Sequence, residues 1–183
     1  MRRSELLGLR WTAVDLDAKT VSVVETLQRI LGKGMMTLQP KTAKSRRLIN
    51  LPAAAAALLN GLKVKEKEQR QSLGLEWQES DYVFCLADGR PYSPDKVSLA
   101  FAEVIKKAGL PHIRLHDLRH THATMMMAQG VNPKTVAERL GHSSVVITLD
   151  TYSHVLPGLQ EEAALKFEEG LRKTTKQQAV EES

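Results

Sequence analysis

Four side chains between residues 116 and 152 could together act on a phosphodiester. His116 and Arg119 form a His-x-x-Arg pair, and His142 follows a glycine that is expected to end a helix. Tyr152 lies ten residues further on. An activated phenol can form a covalent intermediate, a guanidinium can hold two phosphate oxygens, and an imidazole can move a proton near neutral pH. This combination predicts cleavage of a nucleic-acid backbone without a metal ion.

The chain is basic, and its excess of positive charge is concentrated at the N-terminal end. The 183 residues carry a formal net charge of +5 at pH 7. Residues 1–50 hold ten Lys and Arg against four Asp and Glu, whereas residues 159–183 hold four against six. This distribution is typical of a protein that binds a polyanion, although charge alone fits a solvated basic face equally well. Aromatic residues make up only 4% of the chain, which favours duplex DNA over a surface that stacks single-stranded bases.

Composition indicates a soluble globular domain. Hydrophobic residues make up 42% of the chain and charged residues 26%, a balance that excludes an intrinsically disordered protein. No apolar run approaches the roughly 20 residues that span a bilayer, and we expect no secretory signal. The single cysteine, Cys85, excludes an internal disulfide and is typical of a reducing compartment. We therefore expect a cytoplasmic protein without a membrane partner.

Periodicity and turn residues predict an α+β fold that is mostly α, with a small three-stranded antiparallel sheet. Alternating stretches rich in Val and Thr predict strands at residues 20–31, 35–39 and 46–51. A basic turn, PKTAKS at residues 40–45, joins the last two strands. Capping serines, prolines in first turns and glycines after last turns predict helices at 4–10, from 53 to between 61 and 70, 94–107, 115–130, 133–141 and from 144 to before 157.

Motifs distributed along the chain resemble the catalytic domain of tyrosine recombinases of the phage-integrase type. The segment with the family's first catalytic arginine is similar to MRRSELLGLRW, and its lysine hairpin to LQPKTAKSRRLINLP. The His-x-x-Arg motif is matched by HDLRHTHAT, the second histidine by LGHSS and the nucleophile by LDTYSHV. Each motif alone is modest, but their shared order over about residues 1–170 makes the resemblance specific.

The resemblance implies a catalytic set of Arg2, Lys41, His116, Arg119, His142 and Tyr152, with Glu5 as a supporting acid. The tyrosine would attack phosphorus and leave a 3′-phosphotyrosyl bond and a free 5′-hydroxyl. The arginines would hold the non-bridging oxygens, the histidines would donate hydrogen bonds to them or move the tyrosyl proton, and the lysine would protonate the leaving oxygen. No metal, ATP or other cofactor is implied.

The resemblance also implies double-stranded DNA as the partner, with four protomers acting around two duplexes through a Holliday junction. The hairpin residues suited to phosphate contacts are Lys44, Arg46 and Arg47. Apolar residues at four-residue steps predict a C-terminal helix, namely Leu159, Ala163, Phe167 and Leu171. This helix could pack on its own domain or dock on a neighbouring protomer.

One catalytic domain is expected over residues 1–171, followed by a flexible tail at residues 172–183. Members of the family carry an N-terminal DNA-clamping domain and further helices before the first catalytic arginine. Because this chain starts at that arginine, the resemblance implies a catalytic domain truncated at its N-terminus.

Other interpretations remain open from the residues alone. A tyrosine on a helix is commonly a half-buried core residue, and a His-x-x-Arg pair can lie on a surface without a function. His116 and His120 could share a helical face as a zinc site, although Asp117 stands where a metalloprotease carries its glutamate. The competing functions are a non-catalytic DNA-binding remnant of an integrase, a metal-dependent hydrolase and a type IB topoisomerase.

Overall fold

Residues 1–39 and 46–152 are described by the structure, a computed structural model, together with residues 164–165, 167–169 and 172. The strands in this part are β1 (Val14–Asp15), β2 (Thr20–Val23), β3 (Thr26–Ile30), β4 (Gly34–Leu38) and β5 (Arg47–Asn50). Its helices are α1 (Arg3–Leu7), α2 (Ala53–Leu73), α3 (Pro94–Lys107), α4 (Asp117–Ala128), α5 (Pro133–Leu140) and α6 (Val145–Tyr152). None of these helices is long and apolar enough to cross a membrane. The predicted α+β class with a majority of helix is confirmed, although α1 is shorter and α2 longer than predicted.

The strands form two antiparallel sheets rather than one continuous meander. β2 pairs with both β1 and β5, and Val23 at its end lies opposite Arg47. β3 and β4 form a separate hairpin, in which Thr26 lies opposite Leu38. The prediction of a single strand over residues 20–31 is therefore wrong, because the chain leaves the first sheet between β2 and β3.

The break between β2 and β3 follows from contacts made by the first helix. α1 packs on β3 so closely that a Cβ on Gly8 would lie 2.8 Å from the backbone nitrogen of Leu27. Glu25, at the break, accepts a hydrogen bond from Nε of Arg10 at 2.8 Å. β3 therefore follows α1 instead of continuing along the first sheet. The apolar alternation of residues 20–31 is interrupted at the adjacent Val23 and Val24, where the first sheet ends, and the prediction of one strand overlooked this.

Buried apolar side chains hold the N-terminal segment against both sheets. One cluster consists of Leu9, Val21, Leu59 and Val83. A second cluster consists of Leu7, Leu27 and Tyr82. Full burial of a side chain of this size contributes roughly 1.5–3 kcal/mol. The two clusters therefore anchor α1, which is too short to be stable alone.

The helices after residue 115 pack around a third cluster, which consists of Ala123, Met127, Val136 and Leu140. α5 begins after Asn132, whose side-chain oxygen accepts a hydrogen bond from the backbone nitrogen of Lys134 at 2.8 Å. Pro133 occupies its first turn. It ends at Gly141, which adopts a left-handed φ of 71°. The bounds predicted for this helix from the proline and the glycine are confirmed.

We expect Gly8→Ala to lower the free energy of unfolding by about 1–3 kcal/mol, the usual cost of overpacking. The added methyl would meet the backbone of β3, which cannot rotate away as a flexible side chain can. Gly61→Ala in α2 is the matched control, because no described atom beyond its neighbours and its own helix backbone lies within 4 Å of its Cβ position. Alanine at that site should stabilise the helix by about 1 kcal/mol. Urea unfolding curves measure both effects, and equal changes would contradict the close approach of α1 to β3.

Candidate active site

A buried carboxylate, Glu5 of α1, lies at the centre of the site with 3% of its side chain exposed. Arg47 donates to Oε1 from Nη1 at 3.1 Å and to Oε2 from Nη2 at 2.8 Å. Arg2 donates to Oε2 from its backbone nitrogen at 2.7 Å and to Oε1 from Nη1 at 2.9 Å. Burial alone would raise the pKa of Glu5, but the hydrogen bonds from Arg47 and Arg2 and the charge of Arg47 lower it to about 2. Glu5 is therefore ionised at neutral pH and binds both arginines.

Arg47 also connects α1 to the turn that follows α5. Its Nε donates a hydrogen bond to the backbone oxygen of Arg139 at 2.9 Å. Its guanidinium lies against Gly141, where a Cβ would be 2.7 Å from Nη1. Arg2 reaches the same turn, since its Nη2 donates to the backbone oxygen of Gly141 at 3.1 Å. Two guanidiniums therefore fix the backbone immediately before His142.

α4 contributes Arg119 and, at its N-terminal cap, His116. Arg119 is only 7% exposed, whereas His116 is exposed. The rings of His116 and His120 meet edge to face, with their centroids 5.0 Å apart. Partial burial, followed by the charges of His120 and Arg119, lowers the pKa of His116. The neutral form of His116 is therefore favoured at pH 7.

His142 lies in the electrostatic field of the same arginines. Burial, followed by the charges of Arg119 and Arg2, lowers the pKa of His142 to about 4, so its ring is neutral at pH 7. Its Nδ1 lies 2.8 Å from Oγ1 of Thr148, a fully buried residue of α6. Thr148 was not among the predicted site residues, and its position four residues before Tyr152 was the available signal. The predicted catalytic residues that share this region with the supporting acid Glu5 are Arg2, Arg119 and His142.

Several predicted site residues fall where the structure gives no description. Lys41 and Lys44 lie outside the described residues, as does the side chain of Tyr152. Tyr152 is the last residue of α6. This helix packs on α4 and α5. Tyr152 therefore belongs to the same group of helices as Arg119. Of the predicted C-terminal apolar residues, Phe167 is helical and exposed, and those outside the described residues are Leu159, Ala163 and Leu171.

The two arginines at the start of β5 differ in their surroundings. Arg46 is exposed and donates from Nη2 to Oε1 of Gln39 at 2.6 Å. The side chain of Arg47 is only 7% exposed because it turns inward to Glu5. Arg47 is thus bound within the protein by Glu5, and its contact with DNA stays a prediction. Neighbouring residues of a strand point to opposite faces, which fits the different surroundings of Arg46 and Arg47. The sequence did not reveal that Arg47 pairs with Glu5, 42 positions away.

The remaining histidines of α4 make contacts within the protein. Nε2 of His122 accepts a hydrogen bond from Nε of Arg139 at 3.2 Å. Burial, followed by the charge of Arg139, lowers the pKa of His122. Within the described ranges, no group of three or more His, Cys, Asp and Glu residues is arranged to hold a metal ion.

Comparison with known sequences gives consistent matches over most of the chain. The profile of the phage integrase family matches residues 1–158. A XerC-like tyrosine recombinase of Caldanaerobacter subterraneus subsp. tengcongensis is 31% identical over 168 residues, which cover 86% of this chain and 43% of that protein. The ICEBs1 integrase of Bacillus subtilis is 32% identical over 169 residues, covering 92% and 45%. The chain thus spans less than half the length of these curated relatives.

Solved structures share the fold. The Tn1549 transposon integrase in complex with circular intermediate DNA superposes with a TM-score of 0.78 at 23% identity, covering 91% of this chain and 56% of that one. The XerA recombinase has a TM-score of 0.66 at 22% identity, covering 91% and 53%. The architecture expected from the motifs, that of a tyrosine recombinase catalytic domain, is therefore confirmed.

We expect Glu5→Gln to remove a pH-dependent part of the stability. The folded pKa of about 2 lies below the ordinary value of 4.5, so ionised Glu5 stabilises the native state above pH 4.5. That stability is lost as the pH falls through about 2. A pKa shift of this size corresponds to about 3 kcal/mol.

Chemical unfolding at a series of pH values tests this expectation. The free-energy difference between the wild type and Glu5→Gln should be about 3 kcal/mol at neutral pH and shrink towards zero at the acid end. Glu68→Gln, on the exposed surface of α2, should change stability by no more than about 0.5 kcal/mol throughout. A difference for Glu5→Gln that does not depend on pH would contradict the role of its ionised form.

Proposed function

The chain belongs to the phage integrase family, and we propose that it is the catalytic domain of a site-specific tyrosine recombinase. It would break and rejoin DNA through a covalent 3′-phosphotyrosyl intermediate. The observation that carries the proposal is the convergence of Arg2, Arg119 and His142, which come from three separate motifs. The recombinases and integrases among its relatives support the same activity.

The positive charge of the site suits the transition state of a phosphoryl transfer. As an oxygen attacks phosphorus, negative charge grows on the two non-bridging oxygens, and Arg2 and Arg119 would stabilise it. Glu5 holds Arg2 through two hydrogen bonds, so the guanidinium is already oriented when DNA arrives. Neutral His142 would donate a further hydrogen bond to the phosphate.

The cleavage step exchanges one phosphate ester for another. The phenol oxygen of Tyr152 would form a bond to phosphorus while the bond from phosphorus to the 5′-oxygen breaks. His116, neutral and exposed, would accept the phenol proton, and Lys41 would give a proton to the leaving oxygen. A 5′-hydroxyl of a second duplex would then attack the phosphotyrosyl bond, restoring the phenol and joining the strands.

Duplex DNA is the proposed substrate, and four protomers around two duplexes are the proposed assembly. The Tn1549 integrase was solved with DNA, which supports a DNA partner for this chain. Exposed Arg46 beside the hairpin is suited to a backbone contact. The domain would extend over residues 1–171, and Phe167, exposed in its C-terminal segment, would dock on a neighbouring protomer.

We expect Tyr152→Phe to abolish covalent attachment to DNA, because phenylalanine has no oxygen to attack phosphorus. The probe is a pool of nicked duplexes with a randomised central segment, in which the nick releases a short strand after cleavage. Adducts that survive SDS are separated on a gel and sequenced. Tyr92→Phe, which removes an exposed phenol elsewhere, should leave the yield within about twofold, well under the effect of losing a nucleophile.

Three results would contradict the proposal in different ways. An adduct that persists in Tyr152→Phe would show that another residue is the nucleophile. No adduct from the wild type, combined with salt-dependent binding, would favour the non-catalytic DNA-binding remnant. An adduct that forms in the wild type and is lost with a chelator would favour a metal-dependent reaction.

We expect Arg46→Ala, but not Arg47→Lys, to weaken the salt dependence of binding to a mixed-sequence duplex. Losing one phosphate contact should reduce the slope of log K against log salt by about 1. Arg47→Lys should leave that slope unchanged and lower the stability instead, because one ammonium cannot bind both oxygens of Glu5 and the carbonyl of Arg139. Fluorescence anisotropy and thermal unfolding measure the two effects, and a reduced slope in Arg47→Lys would contradict its structural role.

A further inference from the structure

We propose that Thr148 is a positioning residue for DNA cleavage: its hydroxyl holds His142 in one ring tautomer and orients the helix that carries Tyr152. The proposal rests on the proposed function and assigns Thr148 a role that it exerts through His142. The contact that carries it joins Oγ1 of Thr148 to Nδ1 of His142 at 2.8 Å.

The hydroxyl of Thr148 is buried. Thr148 has 0% of its surface exposed. A hydroxyl taken out of water without a hydrogen bond costs about 1–3 kcal/mol, and valine has nearly the same shape without that penalty. The partner of this hydroxyl is a nitrogen of His142, so the polar atom and the site are in direct contact.

The hydrogen bond between Thr148 and His142 bears on which ring nitrogen of His142 carries the proton. Burial and the neighbouring arginines lower the pKa of His142 to about 4, and a neutral imidazole carries a single N–H. A phosphate oxygen accepts hydrogen bonds and does not donate them, so the nitrogen that meets it must carry that proton. If the hydroxyl of Thr148 donates to Nδ1, the proton is held on Nε2, the nitrogen on the opposite side of the ring.

Thr148 also anchors α6. Thr148 is fully buried, whereas Val146, Ile147 and Leu149 are exposed. Among the side chains of α6 that the structure describes, that of Thr148 alone is fully buried. Tyr152 follows four residues later, and residues four apart lie on the same face of a helix. The bond to His142 therefore sets the rotation of α6 about its axis at the face that carries Tyr152.

The tautomer is measured directly by two-bond proton–nitrogen correlation spectra of the protein labelled with ¹⁵N-histidine. In the wild type and in Thr148→Ser, which keeps a hydroxyl, the proton of His142 should reside on Nε2. Thr148→Val, which keeps the branched shape, should give a mixture of both tautomers. A proton on Nδ1 in the wild type, or an unchanged tautomer in Thr148→Val, would overturn the proposal. This measurement uses neither DNA nor activity.

The rate of cleavage tests the consequence, with a nicked duplex selected from the randomised pool by the wild type. Thr148→Val should slow single-turnover adduct formation by about tenfold, less than the roughly 100-fold or more that a positioned proton donor contributes directly. Its DNA affinity should stay within about twofold, and Thr148→Ser should keep most of the rate. A slow Thr148→Ser variant with the wild-type tautomer would overturn the role of the hydroxyl.

A double-mutant cycle separates action through His142 from a general packing effect. In a His142→Ala background, Thr148→Val should cause no further loss of rate, because the bond is already absent. The same loss in both backgrounds would overturn the proposal, and thermal unfolding identifies any variant that fails to fold. If the wild type forms no adduct, the proposed function fails, while the tautomer spectra still decide whether Thr148 holds the ring.

Discussion

A carboxylate taken out of water must be matched by positive charge, and the arrangement around Glu5 follows from that requirement. Its partners come from its own helix and from β5. The same guanidiniums extend to backbone oxygens of Arg139 and Gly141, so the pairing that compensates burial also fixes the turn before His142. α1 has only five residues, and this pairing and the burial of Leu7 hold it in place. Glu5 therefore connects the N-terminal segment to the sheet and to the C-terminal helices.

Positive charge in the site also controls the histidines. Arg119 contributes to lowering the pKa of both His116 and His142, which keeps the rings neutral while no anion is bound. A phosphodiester in the site brings negative charge and opposes that effect. In the proposed reaction, the proton affinity of the histidines would therefore be coupled to the substrate, and the rings would become better proton acceptors when DNA is bound.

The sequence was informative where a function depends on residue type and short spacing. Local chemistry or periodicity was enough to predict the pair His116 and Arg119, the glycine that ends α5 and the helical class. The separation of β2 from β3 was not predicted, since it depends on the contact of Gly8 with the backbone of Leu27, in a distant part of the chain. The burial of Arg47 was missed for the same reason, because its partner lies 42 positions away. Contacts between distant segments have no local pattern.

Gly141 satisfies two constraints of different origin, and this limits how the chain can evolve. Its left-handed backbone disfavours any residue with a Cβ, and the guanidinium of Arg47 occupies the space that a Cβ would need. A smaller side chain at position 47 would open the space but leave the backbone strain and deprive buried Glu5 of one of its two arginine partners. A change at position 141 therefore has no single compensating substitution at position 47. The two positions are expected to remain unchanged together through sequence drift.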